Sequence, residues 1–353
     1  MKLFKKTIAI ILCVLMVMSV ASCGGDTSWV AKTDKTTINS GLYMYYLLMS
    51  YSNAYYMVED TSKNILTQTI DGVKGDVWIE QYAQDSVRFS IAVMEMFEEK
   101  GLELSDESKD YIKQYADYYW AYSSSIYTEN GISYDTLSTV ISIDVMTSQL
   151  FEHIYGKGGE KEITTEAMKE ALVENYAKIN EVGISLAAVT GDMRSEELQA
   201  TLKEKANEYK TRIEAGEKIE DLIKEHYNYE MGIAAEEYGT TLDDLLSDVS
   251  GEVDTSFIVV SADSTNYSDN EKTEIFKLET GDVTVVVEKE YIRVIQRFDI
   301  LEDDTYLEAY DYDIRVTLKG EEFTNELAEI GTALELEVNE SALKKYKPSK
   351  IKA

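Results

Sequence analysis

Apolar residues spaced three and four positions apart predict helices from residue 28 to about residue 176. Five such segments follow one another, separated by polar or glycine-containing turns. The predicted helix starts, each with a side chain able to cap, are Asn39 or Ser40, Ser105 and Thr164. Gly101 follows the segment 77–100 and predicts the end of that helix. The first half of the chain after residue 28 is therefore expected to be mainly helical.

The hydrophobic pattern changes after residue 179. Strands are predicted by β-branched or continuous apolar runs at 180–189, 257–260, 283–287 and 291–297. A long amphipathic helix with a break at residues 215–217 follows the first of these strands. Strand, helix, helix and further strands make an α+β module. A helical pattern returns from residue 303 to residue 334.

The first 23 residues have the pattern of an export signal. Three lysines, at positions 2, 5 and 6, precede an uncharged apolar run from Thr7 to Val17, and Val20-Ala21-Ser22-Cys23 follows. This segment resembles the signal peptide and lipobox of a bacterial lipoprotein. The resemblance implies cleavage before Cys23, which would become the lipidated first residue of the mature chain. The alternative is an ordinary signal peptide in which Cys23 is incidental.

Composition limits the chemistry of the mature chain. Cleavage after residue 22 removes Cys13 and three lysines but no acidic residue, so the formal charge moves from -32 to -35. An anionic body is repelled by anionic lipid headgroups, so attachment to a bilayer would depend on the acyl chains of Cys23. The excess of 66 acidic over 34 basic residues argues against nucleic-acid binding.

Motifs for cofactors and metals are missing from the sequence. Two histidines, His153 and His226, are too few for a three-histidine zinc site, and each is expected at a surface or helix end. The acidic run 302–304 lacks the spacing of a calcium loop and is read as the solvated start of a helix. No glycine-rich phosphate loop or nucleophile elbow appears. We therefore expect no cofactor, no metal and no catalytic set of Ser, His and Asp.

The order of landmarks along the chain resembles the extracytoplasmic foldase lipoproteins of the PrsA type and the related periplasmic chaperone SurA. The landmarks are Val30-Ala31, the segment Ile38 to Tyr46, the turn Gly101-Leu102-Glu103-Leu104-Ser105-Asp106-Glu107, Gly131-Ile132-Ser133-Tyr134-Asp135 and Ile163-Thr164-Thr165-Glu166. In this family a parvulin-type prolyl isomerase domain usually follows. The strand–helix–strand block from 181 to 297 fits that domain in outline.

The resemblance implies an α+β fold in which a mainly helical SurA-N-like chaperone domain carries an inserted parvulin-like domain. The implied boundaries are 1–22 for the signal peptide, 23–28 for a lipidated flexible leader, 29–178 for the helical domain, 179–300 for the parvulin-like domain, and 301–353 for a C-terminal helix packing on the N-terminal domain and a basic tail.

The parvulin-like block departs from its family at the site of isomerisation. Active parvulins usually carry a histidine in the first strand and another near the start of the last strand. Here those places hold Ile184-Ser185-Leu186 and Glu290-Tyr291-Ile292-Arg293. We therefore expect a module that is degenerate as an enzyme, and an active isomerase is the alternative. The candidate peptide groove is Leu186, Phe257, Phe276 and Tyr291.

Tyrosine and methionine are concentrated in two helical segments, 43–57 and 111–122. Such residues suit a surface that holds many unrelated unfolded segments, because Met is adaptable and Tyr is amphipathic. Both sets are expected to wrap around their helices, which favours partial exposure over a role in the core alone. The candidate client-binding residues are Tyr45, Tyr55, Tyr118 and Trp120.

These observations combine into one hypothesis about function. The chain is expected to be a chaperone or foldase that binds unfolded or nascent exported polypeptides. It would be anchored in the lipid bilayer through Cys23 on the extracytoplasmic face of the cell membrane, and the resemblance suggests a Gram-positive host. A solute-binding or envelope-structural lipoprotein is a third possibility, which would require a small-molecule cleft.

Overall fold

The chain forms two units, which a computed structural model describes for residues 27–247 and 252–352. The first unit contains the residues up to 161 and those from 320 onward, and the second contains 162–319. The signal segment and Cys23 lie outside the described residues, so the predictions made for them are not tested by the structure. No described helix combines the length and the apolarity that crossing a membrane requires.

The first unit is built mainly from four long helices. Its elements before residue 161 are β1 (Trp29–Lys32), β2 (Thr37–Asn39), α1 (Ser40–Met57), β3 (Thr69–Ile70), β4 (Val73–Lys74), α2 (Gly75–Glu99), α3 (Asp106–Glu129) and α4 (Tyr134–Tyr155). Helix α1 packs on α2, and both contact α4, while α3 packs on α4. Tyr43, Leu47, Ile79, Ile91 and Leu150 are completely buried between these helices.

The second unit is an α+β sandwich around one antiparallel sheet. Its elements are α5 (Thr165–Asn175), β5 (Tyr176–Ser185), α6 (Glu196–Glu214), α7 (Ile219–Tyr238), α8 (Leu242–Ser247), β6 (Ile258–Ser261), α9 (Asp269–Lys277), β7 (Val283–Val287), β8 (Tyr291–Phe298) and α10 (Thr305–Ala309). The strand order is β6-β5-β8-β7, and every neighbouring pair is antiparallel.

The last part of the chain returns to the first unit. Helix α11 (Asp311–Ala333) begins in the second unit and continues past residue 320 into the first, and β9 (Glu337–Val338) and α12 (Glu340–Lys345) follow it. Phe323 of α11 is buried against Phe151 and Tyr155 of α4, with ring centroids 5.4 and 6.2 Å apart. Strand β9 pairs with β1 in antiparallel register. The residues from 320 onward therefore share the core of the first unit.

Local sequence signals set the helix boundaries. The side chains of Asn39, Ser105 and Thr164 each accept a hydrogen bond from a backbone N–H of the first turn that follows. Gly101 ends α2 with a φ of 67°, a left-handed conformation that glycine adopts without strain. The structure thus confirms the predicted α+β fold class, with a mainly helical first unit and a second unit of helices around an antiparallel sheet.

Candidate functional site

Five exposed tyrosines form a continuous ladder along one flank of α3. They are Tyr111, Tyr115, Tyr118, Tyr119 and Tyr122, and their exposed fractions range from 39% to 78%. Ring centroids are 4.2 Å apart for Tyr111 and Tyr115, and 4.9 Å apart for Tyr118 and Tyr122. Within the ladder the rings contact one another while much of their surface faces solvent.

The helical period explains why the ladder occupies one flank. At about 100° per residue, the five positions fall within an arc of about 100°. Ile112, Ala116 and Tyr127 are the buried residues of α3 and lie beside this arc, facing the core. The expectation that the aromatic residues of this segment wrap around the helix is therefore wrong for the tyrosines, because their spacing of three and four keeps them together.

Trp120 lies apart from the ladder, although it belongs to the same segment. It is half-buried on the opposite side of α3, stacked on Tyr127 and edge-on to Tyr134, with centroid distances of 6.2 and 5.8 Å. Lys113 shares that side and pairs with Asp117 at 2.6 Å. Of the two candidates on α3, Tyr118 belongs to the exposed ladder and Trp120 mainly packs within the fold.

A groove of about 560 Å³ separates the tyrosine ladder from α4. On the α3 side it is lined by Tyr111, Tyr115 and Tyr119, and on the α4 side by a stripe that includes Ile141, Asp144 and Val145. Gln149 of α4 donates a hydrogen bond to the hydroxyl of Ser108 on α3 at 2.8 Å, which holds one end of the groove together. The groove is aromatic and aliphatic along its walls, with carboxylates at its rim.

Helix α1 contributes the remaining candidate tyrosines. Tyr45 is half-buried, contacts Tyr46 and Tyr127, and has a pKa raised above its usual value chiefly by burial. Tyr55 is 44% exposed and edge-on to Tyr56, which is 85% exposed. Tyr45 therefore belongs partly to the packing of the first unit, while Tyr55 and Tyr56 form a second exposed aromatic pair at the end of α1.

The four candidate groove residues of the second unit occupy different surroundings. Leu186 is buried with the core on the α6 and α7 side of the sheet, and Phe276 packs on the α9 side. The ring of Phe257 contacts that of Phe298, with centroids 4.7 Å apart, and the amino group of Lys178 lies over the Phe257 ring. Tyr291 donates a hydrogen bond to Glu271 at 3.1 Å. These four side chains do not line one common groove.

An ion cluster occupies the α9 side of the sheet near Tyr291. The guanidinium of Arg293 is paired with Glu271 at 2.7 Å and with Glu181, which accepts a hydrogen bond from it. It also lies over the rings of Tyr267 and Tyr291, 4.8 and 4.9 Å from their centroids. One cation is thereby enclosed by two carboxylates and two aromatic rings.

Strand register and helix capping place the partners of this cluster. Arg293 of β8 lies opposite Gly183 of β5, so Glu181 is its diagonal neighbour on the same face of the sheet. The side chain of Glu271 accepts a hydrogen bond from the backbone N–H of Ser268 and completes the capping box of α9. Sequence reasoning missed the cluster. The only sequence signal for it was Arg293, a charged residue within the mainly apolar strand β8.

Burial dominates the electrostatics of this cluster. Glu271 is completely buried. Burial raises the pKa of Glu181, and Arg293 acts in the opposite direction. Burying charges is expensive unless they are paired, so the two carboxylates depend on the arginine. The arrangement is a packed structural cluster, and it fills this part of the sheet face.

The two histidines differ in their surroundings. His153 is exposed in the last turn of α4, as expected. The same expectation is wrong for His226, which is only 3% exposed within α7, because the helix continues to Tyr238 and turns this position inward. Burial lowers the pKa of His226 to about 4, so the ring is neutral near pH 7. No described group of His, Cys, Asp and Glu residues is arranged to hold a metal ion.

Replacing Arg293 with Met is expected to destabilise the second unit by about 3 kcal/mol at pH 7, because two carboxylates lose their buried partner. The pKa of Glu181 should then rise further, so the folded state would bind more protons than the unfolded state. Stability should therefore recover as the pH falls toward about 5 and decline as it rises. Urea unfolding followed by far-ultraviolet circular dichroism measures this loss. Tryptophan fluorescence identifies the separate transition of the first unit, which holds Trp29, Trp78 and Trp120.

The matched control is Lys277→Met, which removes an exposed cation paired with Glu274 in the same unit. This variant should change the free energy of unfolding by at most about 1 kcal/mol. A loss for Arg293→Met that is as small as the control, or that does not depend on pH, would contradict the assigned role of the cluster.

Comparison with known proteins finds similarity at the level of solved structures. No family model and no curated protein matches the chain. The foldase protein PrsA from Lactococcus lactis aligns over 92% of this chain and 99% of its own length, with 13% identity and a TM-score of 0.37. PrsA from Streptococcus pneumoniae aligns over 79% of this chain and 97% of its own length, with 15% identity and a TM-score of 0.34. PrsA from Bacillus subtilis aligns over 91% of this chain and 98% of its own length, with 17% identity and a TM-score of 0.29. These three alignments cover most of this chain and nearly all of each PrsA chain, at low sequence identity.

Proposed function

We propose that this protein is an extracytoplasmic chaperone or foldase that binds unfolded exported polypeptides through its first unit. The observation that carries the proposal is the tyrosine ladder of α3, with a second aromatic pair at Tyr55 and Tyr56. The ladder residues have 39% to 78% of their surface exposed to solvent, although each ring offers a large apolar area. Contiguous exposed apolar surface usually marks an interaction site.

The chemistry of the ladder fits clients that share no sequence. A tyrosine ring gives apolar contact on its face and hydrogen bonding at its hydroxyl, so it accepts varied side chains and backbone. Each contact is weak, and several rings in a row allow an extended segment to bind at many registers. These properties suit transient holding of unfolded chains better than the selection of one small molecule.

We place the protein on the outer face of the cytoplasmic membrane, anchored through the lipidated Cys23. The support is the sequence of the first 23 residues, which lie outside the described structure. The mature charge of -35 argues that acyl chains, and not the protein surface, would hold it at an anionic bilayer. The helical domain predicted for 29–178 would then carry the client-binding surface.

The parvulin-like module at 179–300 is proposed to be catalytically degenerate. Two observations support this: neither strand carries the expected histidine, and the ion cluster of Arg293, Glu181 and Glu271 occupies the α9 side of the sheet near Tyr291. Isomerisation requires stabilisation of a twisted amide in an apolar pocket. A surface occupied by paired charges offers a proline ring no such pocket.

Replacing Tyr118 and Tyr122 with Gln should weaken binding of an unfolded client by about three- to tenfold, because two exposed rings of the ladder are lost. The measurement is suppression of client aggregation, titrated with the mature protein. The control replaces Tyr82 and Tyr238 with Gln, since these two tyrosines are similarly exposed but lie outside the ladder. Equal activity of the two double variants would contradict the assignment of the ladder, and no suppression by the parent protein at stoichiometric excess would contradict the chaperone function.

The mature protein should not accelerate cis–trans isomerisation of a proline-containing peptide above the uncatalysed rate, because the module lacks both histidines. A protease-coupled peptide assay measures this rate, with an active parvulin as the positive control. Turnover comparable to that parvulin would establish the alternative, an active isomerase with a rearranged site.

Replacing Cys23 with Ala should release the protein from the membrane fraction of expressing cells, because the attachment site for the acyl chains is lost. Fractionation and detection of the mature protein measure this change. Replacing Cys13 with Ala is the matched control, since this residue leaves with the signal peptide and should not affect anchoring. Unchanged membrane retention of the Cys23→Ala variant would contradict lipid anchoring.

A further inference from the structure

The groove between α3 and α4 combines aromatic walls with negative charge. Its described lining includes three carboxylates, those of Glu107, Asp144 and Glu152, and contains no lysine or arginine. Glu107 and the rings of Tyr111, Tyr115 and Tyr119 line the α3 side, and Asp144 and Glu152 line the α4 side. An extended segment lying in this groove would therefore meet ring faces on the α3 side and carboxylates on both sides.

The basic residues of α3 are kept away from this groove. Lys109 and Lys113 lie on the flank opposite the ladder, where Lys109 pairs with Asp106 at 3.1 Å and Lys113 with Asp117 at 2.6 Å. The helix therefore separates its charges, with paired lysines on one flank and the tyrosine-lined groove on the other. The negative charge of the groove is not neutralised by the cations of the same helix.

Asp144 lies on the α4 side of the groove, at its rim. The residue is exposed to solvent, while partial desolvation by neighbouring protein atoms raises the pKa of its carboxyl group above the usual value. No hydrogen bond or ion pair reaches its carboxylate from the described residues around it. A partly desolvated carboxylate gains more from a cation than a fully hydrated one does, because less water screens the pair.

We propose that this groove binds lysine and arginine side chains of extended client segments, so that the chaperone prefers basic, apolar stretches of unfolded chains. The preference rests on the proposed chaperone function and specifies its substrate class. The ladder would provide ring faces for cation–π contacts and apolar packing of the alkyl stems. The carboxylates of Asp144, Glu107 and Glu152 would provide the complementary charge.

The experiment measures binding of fluorescent, unstructured peptides to the mature protein by anisotropy. Three peptides share the same apolar residues and differ at the same positions, which hold Lys, Gln or Glu. We expect the Lys peptide to bind about tenfold more tightly than the Gln peptide, and the Glu peptide to bind more weakly than both. The advantage of the Lys peptide should shrink as salt is raised from about 50 mM to about 500 mM.

Two triple variants separate the groove from the overall charge of the protein. The test variant is Glu107→Gln, Asp144→Asn and Glu152→Gln. The control is Glu59→Gln, Glu98→Gln and Glu99→Gln, which removes the same charge from exposed positions outside the groove. The test variant should lose most of the preference for the Lys peptide and keep its affinity for the Gln peptide. The control should keep the preference.

The outcomes distinguish this inference from the proposed function. Equal binding of the three peptides, together with suppression of client aggregation, would overturn the basic preference and leave the chaperone function standing. Equal loss of preference in both triple variants would assign the effect to net charge and overturn the role of the groove. Absence of binding to every peptide and of aggregation suppression would contradict the chaperone function itself. Far-ultraviolet circular dichroism confirms that each variant is folded.

Discussion

The packing of α3 on α4 through a narrow apolar stripe determines where the aromatic surface of the first unit lies. Only Ile112, Ala116 and Tyr127 of this 24-residue helix are buried. Because so little of α3 faces the core, its large side chains are left at the surface, where they contact one another. The same contact sets the spacing between α3 and α4, and so creates the groove beside the ladder.

The second unit depends on a different constraint, which is the long antiparallel pairing of β5 with β8. Eight residue pairs fix the register from Lys178–Phe298 to Ser185–Tyr291. A shift of one residue would move Glu181 and Arg293 to opposite faces and bury each without its partner. The apolar core on the α6 and α7 side and the ion cluster on the α9 side therefore require the same register.

Local patterns predicted much of the fold, because capping and periodicity act over a few residues. The caps Asn39, Ser105 and Thr164 and the strand at 283–287 follow directly from such patterns. The alignment of the five tyrosines on one flank of α3 can also be predicted from the helical period. The cluster around Arg293 was not, since it joins residues 112 positions apart in sequence through strand register. The burial of His226 depends on α7 continuing to Tyr238 and packing on the sheet, which the local pattern around the histidine does not indicate.

The cluster around Arg293 and the groove between α3 and α4 differ in whether their carboxylates have a cationic partner. At the sheet, Arg293 pairs with two carboxylates inside the protein, so the three ionisable groups of the cluster are engaged with one another. In the groove, the carboxylate of Asp144 lies beside aromatic rings and has no cation of its own among the described residues. A single exposed cation–π contact contributes about 0.5–1 kcal/mol, so several are needed before binding becomes appreciable. In the proposed function, the rings and carboxylates along the groove would supply such repeated weak contacts, and each contact could break separately when a client begins to fold.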